Sequence, residues 1–322
     1  MRNIPPAILL AAIASLPVAA QDTYPSRTIT IVVPISPGTS ADLIARSLGA
    51  KLGERLRQPV VIENKAGASG MIGLDYTAKS VPNGYTLALM ANSSTFLPSM
   101  VKTMPFDLVA DFSPIAKVAT APLTLALHPS VPARDFKEWV ALVKANPGKY
   151  SYATPGNGTV QHVGMELLKM ELGVDVLHVP HKAISDATSN LVGGHVDMTF
   201  GSAPSLVILA AAGKLRLIAM TEAMPGTPAA SVPTFADLGY PSLGAVNGWY
   251  GFIAPAKTPQ AIVNRINQEF RQIIDLTDIK STLIAKQGLG LAVNTPEEMG
   301  ALIRADIELW RRVIRDARIS AE

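Results

Sequence analysis

The sequence predicts an α/β fold in which strands and helices alternate along the chain. Short β-branched runs that are typical of buried strands recur between longer segments with apolar residues at three- and four-residue spacing. The 322 residues are 48% hydrophobic and 16% charged, which is typical of a globular chain with enough apolar material for two domains. The chain contains no cysteine, which excludes disulfides, zinc–thiolate sites and thiol nucleophiles.

The first strand and helix form the clearest unit. The β-branched run Thr-Ile-Thr-Ile-Val-Val at 28–33 predicts a buried strand, and apolar residues at helical spacing over 43–56 predict an amphipathic helix. Residues 59–63 predict a second strand. Because a helical crossover joins parallel strands, these three segments predict a parallel β-α-β unit.

The alternation continues to the end of the chain. Further strands are predicted at 86–90, 123–127, 150–153, 176–179, 215–220 and 250–254, and helices at 135–146, 159–172, 259–276 and 299–318. The last helix follows Thr295-Pro296-Glu297-Glu298, which has the pattern of a capping box. Segments 119–127 and 245–255 combine strand-like residues with proline or glycine, and we predict that the chain crosses between two lobes there.

The first twenty residues have the pattern of a secretory signal peptide. Arg2 precedes an apolar run over 7–16, and the small residues Val18-Ala19-Ala20 follow. This run is shorter than the roughly 20 apolar residues that span a bilayer, so a retained anchor is the less favoured alternative. We therefore expect cleavage after about Ala20 and an exported, periplasmic protein.

Charge does not point to a nucleic-acid partner. The 28 Lys and Arg residues nearly balance the 25 Asp and Glu residues, for a net charge of +3, and they are scattered along the chain. A nucleic-acid site requires a basic stripe or patch, so we expect no nucleic-acid binding.

Four segments that follow predicted strands are rich in glycine and hydroxyl residues and contain no Lys or Arg. They are residues 36–40, 92–95, 154–159 and 201–205. Open α/β sheets bind ligands beyond the carboxyl ends of their strands, and helix starts offer free N–H groups to anions. We therefore predict a site for a small anion, such as a carboxylate, where the four segments converge at one sheet edge. Ordinary helix capping is the alternative, and Thr39 with Asp42 fits a capping box.

Motifs for cofactors and metals are not supported. The glycines of 64–73 lack the spacing and the following acidic residue of a dinucleotide site, so they predict a turn with close helix packing. His178 and His181 lack the cysteines or clustered carboxylates of a metal site. We expect neither a metal nor a cofactor.

His162 is predicted in the first turn of the helix that begins near Thr159, beside the proposed anion site. It is expected to contact the ligand, or else to lie at the surface or behind the site. A secreted α/β hydrolase is the alternative function, with Ser40, Ser94 or Ser202 as nucleophile and His162 as base. The sequence contains no G-x-S-x-G motif, so we expect no enzyme.

The chain contains a series of short motifs whose order along the sequence resembles that of a known protein family. They lie at 24–27, 33–38 with Asp42 and Arg46, 59–64 with Gly67 and Gly70, 82–87, 152–153 with Gly156 and Gly158, 161–162, 178–180 with Lys182, 193–197 and 232–234 with Gly239. In this order the chain resembles the Bug family, the periplasmic solute receptors of tripartite tricarboxylate transporters.

The resemblance implies a type II periplasmic-binding-protein fold, in which two α/β lobes close on a ligand in the cleft between them. One lobe is expected to comprise residues 21–122 plus 246–322, and the other residues 123–245. The implied function is capture of a small organic carboxylate, either a di- or tricarboxylate or an aromatic acid, for delivery to the membrane subunits of the transporter. We expect a monomer, and a ligand-loaded receptor for a sensor kinase is an alternative role.

The resemblance also implies the ligand-binding residues. They are Ser36, Gly38, Thr39, Ser40, Ala41 and Asp42 in one lobe, Thr154, Gly156, Asn157, Gly158, Thr159, Gln161 and His162 in the other, and Ser93, Ser94, Gly201 and Ser202 at the sides. Three positions depart from the family pattern. Thr39 stands where many relatives have glycine, Gly201 where they often have aspartate, and His-Lys-Ala at 181–183 where Tyr-Lys-Gly is common. The missing aspartate disfavours a ligand with an ammonium group.

Thr39 provides a direct test of the first of these loops. In the variant Thr39→Trp, the indole is expected to fill the loop and weaken ligand binding without unfolding the protein. Calorimetric titration measures the affinity, and a thermal melt checks the fold. An unchanged affinity would remove this loop from the binding site.

Overall fold

The computed structural model describes residues 24–319, so the predicted signal peptide and its cleavage site lie outside the described residues. The strands are β1 (Ile29–Val33), β2 (Val60–Asn64), β3 (Thr86–Ala91), β4 (Phe112–Ala121), β5 (Leu123–Leu127), β6 (Ser151–Thr154), β7 (Leu177–Pro180), β8 (Met198–Ser202), β9 (Arg216–Met220), β10 (Gly248–Pro255) and β11 (Gly290–Leu291).

Helices connect most of these strands. They are α1 (Ser40–Leu56), α2 (Met71–Ala78), α3 (Leu97–Met100), α4 (Phe136–Ala145), α5 (Val160–Leu172), α6 (Ile184–Val192), α7 (Ala203–Ala211), α8 (Gln260–Ile273), α9 (Thr277–Ile279) and α10 (Pro296–Asp316). Short 3-10 helices cover Ala68–Gly70, Asn92–Phe96 and Pro241–Val246, and a π-helical turn covers Lys280–Ala285. Among residues 24–319, none of the helices is both long and apolar enough to cross a bilayer.

The strands form two separate sheets. The six-stranded sheet has the order β11-β4-β10-β3-β1-β2, and the five-stranded sheet has the order β7-β6-β8-β5-β9. β1 pairs in parallel with both β2 and β3, which confirms the predicted β-α-β unit, and β6 pairs in parallel with β7 and β8. We call the six-stranded sheet with its helices the first lobe, and the five-stranded sheet with its helices the second lobe.

Pro122 alone separates β4 of the first lobe from β5 of the second. Proline has no N–H group to donate to a strand ladder, so it ends the pairing of β4 and allows the chain to change direction. The chain leaves the second sheet after β9 and re-enters the first sheet at β10.

α10 is shared between the two cores. Near its start, Met299 and Ile303 pack with strands of the first sheet, whereas Trp310 and Val313 pack into the core around the second sheet. Between them, Asp306 accepts a hydrogen bond from the Trp249 indole at 2.7 Å, and burial raises the pKa of this carboxyl to about 6. One continuous helix therefore links the two lobes through buried side chains.

Two segments that the sequence predicted as loops have regular structure. β8 continues through Gly201 and Ser202 and meets α7 directly at Ala203, and residues 92–96 form a 3-10 helix. β8 extends through Gly201 and Ser202 because its antiparallel partner β5 pairs with both residues. Local strand propensity does not reveal such a tertiary contact. The sequence patterns also missed β8 itself, β11, α6, α7 and the first part of β4.

Gly73 in α2 packs against the start of the loop after β1. A Cβ atom at this position would lie 2.8 Å from Pro34 Cβ and 2.9 Å from the Lys65 carbonyl oxygen. This is the close helix packing that the glycines of 64–73 predicted.

The variant Gly73→Ala is expected to lower the free energy of unfolding by about 1–3 kcal/mol, because backbone atoms must shift to accept the methyl group. Without such a clash, alanine would stabilise a helix interior by up to about 1 kcal/mol. Gly300→Ala in α10 is the matched control, because the nearest atoms to its new Cβ lie 3.4 and 3.5 Å away. Urea unfolding measures both variants, and equal effects would contradict the packing argument.

Candidate functional site

The predicted binding segments follow two pairs of neighbouring parallel strands. β1 and β3 are adjacent and parallel in the first sheet, and β6 and β8 are adjacent and parallel in the second sheet. The carboxyl ends of each pair therefore lie at the same edge of their sheet. The four segments therefore lie at two sheet edges, one in each lobe. The prediction of a single edge was wrong because the chain divides its strands between two sheets.

Residues 36–42, which we call the first nest, join β1 to the first turn of α1. The Thr39 hydroxyl donates to the Ser36 carbonyl oxygen at 3.1 Å and accepts the Asp42 N–H at 3.4 Å. Gly38 has a φ of +82°, which a residue with a side chain rarely adopts, and its N–H donates to Asp42 Oδ2 at 3.0 Å. Thr39 is thus the helix cap, and Asp42 folds the loop back onto the helix.

The Asp42 carboxylate is buried and holds the first nest together. Asn64 at the end of β2 donates to Asp42 Oδ1 at 2.9 Å, and Arg46 donates to Oδ2 at 3.0 Å. The Arg46 hydrogen bond is the main cause that lowers the pKa of Asp42 to about 2, and the Gly38 and Asn64 bonds add to it. Asn64 also donates to the Ile35 carbonyl oxygen at 3.1 Å. The carboxylate is therefore charged at neutral pH and is neutralised by a guanidinium group.

Residues 156–162, which we call the second nest, repeat this pattern before α5. The Thr159 hydroxyl donates to the Gly156 carbonyl oxygen at 2.8 Å and accepts the His162 N–H at 3.4 Å. Gly158 has a φ of +69°, and its N–H donates to His162 Nδ1 at 3.1 Å. His162 thus occupies the place that Asp42 has in the first nest, and the residue is only 7% exposed, which rules out a surface position.

The two nests leave the same backbone groups for a ligand. In each, the two residues after the capping threonine lie in the first turn of an α-helix, where N–H groups have no intrahelical acceptor. These residues are Ser40 and Ala41 in the first nest, and Val160 and Gln161 in the second. Helix N-termini carry partial positive charge, so each nest favours an anion without any Lys or Arg side chain.

The predicted site residues differ in exposure. Ser36, Gly38, Ser93 and Asn157 are exposed, while Thr39, Ser40, Gly156, Gly158, Thr159, Gln161 and Ser202 are partly buried, and Ala41, Asp42, Ser94, Thr154, His162 and Gly201 are buried. The sequence missed Tyr250 of β10, which interacts with the Ser40 side chain and whose pKa is raised by burial. An aromatic residue in a distant strand carries no local signal of such a contact.

A small cavity of about 20 Å³ in the second lobe joins two of the predicted segments. Gln161, Gly201 and Ser202 line it together with Ile184 and Thr188 of α6. A cavity of this size holds about one water molecule or one methyl group. Ala187 of α6 also lines the cavity, and no sequence pattern predicted α6 or its three lining residues. A much larger cavity of about 850 Å³ lies between the 101–111 segment and α10, and no predicted site residue lines it.

The geometry does not match the other chemistries that the sequence left open. In the described part of the chain, no hydrogen bond joins His162 to Ser40, Ser94 or Ser202. Residues 24–319 contain no group of three His, Asp or Glu side chains placed to hold a metal ion.

Comparisons with known proteins agree with this architecture. Protein BugT of Bordetella pertussis is 33% identical over 302 residues, which cover 93% of this chain and 92% of that protein. A TctC solute-binding protein from Polaromonas, solved without ligand, is 26% identical with a TM-score of 0.82 and covers 91% of this chain and 100% of that one.

Two similar structures contain ligands. A Rhodopseudomonas palustris protein solved with adipate is 29% identical, with a TM-score of 0.72, and covers 92% of this chain and 100% of that one. MatC from Rhodopseudomonas palustris with bound malate is 28% identical, with a TM-score of 0.66, and covers 90% of this chain and 100% of that one.

Residues 44–319 match the family described as the tripartite tricarboxylate transporter family receptor, TctC. This match spans most of the chain and confirms the resemblance that the sequence motifs carried, together with the periplasmic-binding-protein fold that it implied. The receptors of this family are periplasmic solute-binding proteins. The chain belongs to the TctC, or Bug, family of tripartite tricarboxylate transporter receptors.

Proposed function

We propose that this protein captures a small organic dicarboxylate in the periplasm and delivers it to the membrane subunits of a tripartite tricarboxylate transporter. The observation that carries the proposal is the repeated nest, because each lobe presents a threonine-capped helix start with free N–H groups and no Lys or Arg within the loop itself. Backbone N–H groups at a helix start bind carboxylates through hydrogen bonds and the helix dipole. Adipate and malate, which are bound by two similar proteins, are both dicarboxylates.

Two nests in two lobes favour a ligand with two anionic ends. Each nest carries a similar partial charge, because Asp42 is neutralised by Arg46 and His162 is held as an acceptor. When the lobes close, one carboxylate would bind each nest. The residues around the small cavity, among them Ile184 and Leu206, are uncharged, which suits an uncharged carbon chain between the two ends.

We also propose that the mature protein is a monomer of two lobes without catalytic activity. Removal of the signal peptide after about Ala20 would release a monomer with lobes formed by residues 21–122 plus 246–322 and by residues 123–245. Supporting the lobe limits, β4 and β5 belong to different sheets on either side of Pro122. Supporting a role without catalysis, the Nδ1 atom of His162 already accepts the Gly158 N–H and is not free to act as a base.

A panel of acids tests the proposal by thermal shift. It contains malate, adipate, citrate and benzoate, with the neutral diamide of adipate as the matched control. A ligand at 100 times its Kd adds about 2.7 kcal/mol of stability, which raises Tm by several degrees. The dicarboxylates are expected to raise Tm and the diamide is not. Mass spectrometry of acid released from freshly purified, denatured protein identifies the natural ligand. Glucose and putrescine complete the panel, and a shift with either of them, and none with any acid, would overturn the proposal.

Asn64 tests the contribution of the first nest. In the variant Asn64→Ala, Asp42 and the Ile35 carbonyl oxygen each lose a hydrogen bond, and so does the exposed Arg46 guanidinium group. The free energy of unfolding is therefore expected to fall by about 1–2 kcal/mol. Ligand affinity is expected to fall as well, because the loop loses its connection to β2. Glu63→Ala is the matched control, since Glu63 is the neighbouring residue of the same strand and pairs only with Lys65 at 3.1 Å. Urea unfolding and calorimetry measure both variants. Lower stability with unchanged affinity would exclude the first nest from the site.

A further inference from the structure

His162 anchors the second nest only in its neutral form. Its Nδ1 atom accepts the Gly158 N–H at 3.1 Å, which places the ring hydrogen of the neutral imidazole on Nε2. A protonated ring carries hydrogens on both nitrogens and accepts no hydrogen bond. Protonation of His162 would therefore place an Nδ1–H group opposite the Gly158 N–H group and break the hydrogen bond that shapes the loop.

His178 of β7 supports the same nest from behind, although it belongs to neither nest. Its ring stacks on the His162 ring with a centroid distance of 4.0 Å and on the Tyr152 ring at 4.8 Å. Its Nε2 atom lies 2.6 Å from the hydroxyl oxygen of Thr154, the last residue of β6. That hydroxyl accepts the Gly156 N–H at 3.3 Å. His178 thus contacts the second nest at two points, through His162 and through Thr154.

The groups around the two rings favour the neutral state. On α5, Lys169 pairs with Glu166 at 2.9 Å, and Glu166 also accepts the Tyr152 hydroxyl at 2.5 Å. His181, just after β7, points its Nδ1 atom at the Val179 carbonyl oxygen, 2.9 Å away. Burial lowers the pKa of His162 and outweighs the Glu166 carboxylate, which raises it, and the Lys169 ammonium group also opposes that carboxylate, so the pKa of His162 is lowered on balance.

We propose that His178 is a positioning residue for the second nest: its neutral ring holds Thr154 and His162 so that the loop keeps its anion-binding form, and protonation of the stacked pair in mild acid releases it. The proposal deepens the carboxylate-binding function and rests on it. Under this proposal, anion binding weakens in acid because the protein's histidines are protonated, in addition to any protonation of the ligand.

The pH window follows from the direction of the shifts. Burial, and then the neighbouring His162, lowers the pKa of His178 from 6.5 to about 4, and burial also lowers the pKa of His162. The neutral His162 and His178 rings therefore stabilise the anion-binding form of the second nest fully above about pH 6.5, and this stabilisation is lost as the pH falls towards 4. In the first nest the pKa of Asp42 is about 2, so its carboxylate stays charged across this window. The loss of stabilisation in acid is therefore expected in the second nest alone.

Hydrogen exchange tests the loop without any ligand. Peptides that cover 154–163 are compared with peptides that cover 34–43 in the same protein, with exchange corrected for its intrinsic pH dependence. Between about pH 7 and pH 5, protection of 154–163 is expected to fall by about tenfold or more, while protection of 34–43 stays constant. In His178→Phe, which keeps an aromatic ring without a titrating nitrogen, protection is expected to be lower at pH 7 and less dependent on pH. Equal pH dependence of the two peptides would overturn the proposal.

Affinity measurements test the effect on binding, with malate and adipate as probes. Protonation of the acid itself changes the ratio of Kd at pH 5.5 to Kd at pH 7.5 by the same factor in wild type and variants, so the difference in this ratio between them reports the protein's own contribution. His178→Phe is expected to bind about fivefold more weakly at pH 7.5, which corresponds to one lost hydrogen bond. His178→Gln retains a donor and acceptor for Thr154 and is expected to restore part of the affinity, with a smaller ratio than wild type. His195→Gln, which removes an exposed histidine from the same lobe, is expected to keep the wild-type ratio.

The possible failures are distinguishable. Tighter binding in acid by the wild type alone would assign the histidines as counter-ions of the ligand and overturn the proposal. Wild-type ratios in both His178 variants would reduce His178 to core packing and also overturn it. If neither acid binds, the dicarboxylate function fails, whereas hydrogen exchange still decides the role of His178. Thermal melts show whether each variant folds. If His178→Phe does not fold, the same comparisons are made with His178→Gln.

Discussion

The hydrogen bond from a positive-φ glycine to the side chain four residues later shapes both binding loops. Gly38 bonds to Asp42, and Gly158 bonds to His162, so each loop turns back and exposes the first turn of the next helix. The capping threonine satisfies one further N–H in each loop, and the remaining N–H groups stay available for an anion.

This construction explains how a chain with a net charge of only +3 can bind acids. In the proposed function the attraction comes from helix dipoles and backbone N–H groups, which the glycine turns hold in place. The two lobes use different anchors for the same turn. A carboxylate paired with a guanidinium resists acid, whereas a buried imidazole loses its acceptor when it is protonated. The same backbone geometry thus has two different sensitivities to pH.

The helix shared between the cores sets a second constraint. Trp310 packs into the second lobe and contacts Phe96 at a centroid distance of 5.1 Å, while the start of the same helix belongs to the first lobe. Phe96 ends the 3-10 helix that follows β3, so this contact lies directly beside one of the predicted binding segments. α10 therefore packs on both cores and joins them beside this segment.

The sequence by itself determined the alternation of elements, the parallel β1–β2 pair, the capping residues and the family, because these depend on local periodicity, helix-cap chemistry and motifs in order. It also identified the two loops that become the nests. Only the tertiary structure decided that the loops lie at two sheet edges, that β8 extends through Gly201, and that Tyr250 reaches Ser40. His178 shows the same limit: its sequence neighbours resemble an incomplete metal motif, and its contacts with His162 and Thr154 arise because β6 and β7 pair in parallel beside α5. Such contacts join residues far apart in the chain, so no local pattern records them.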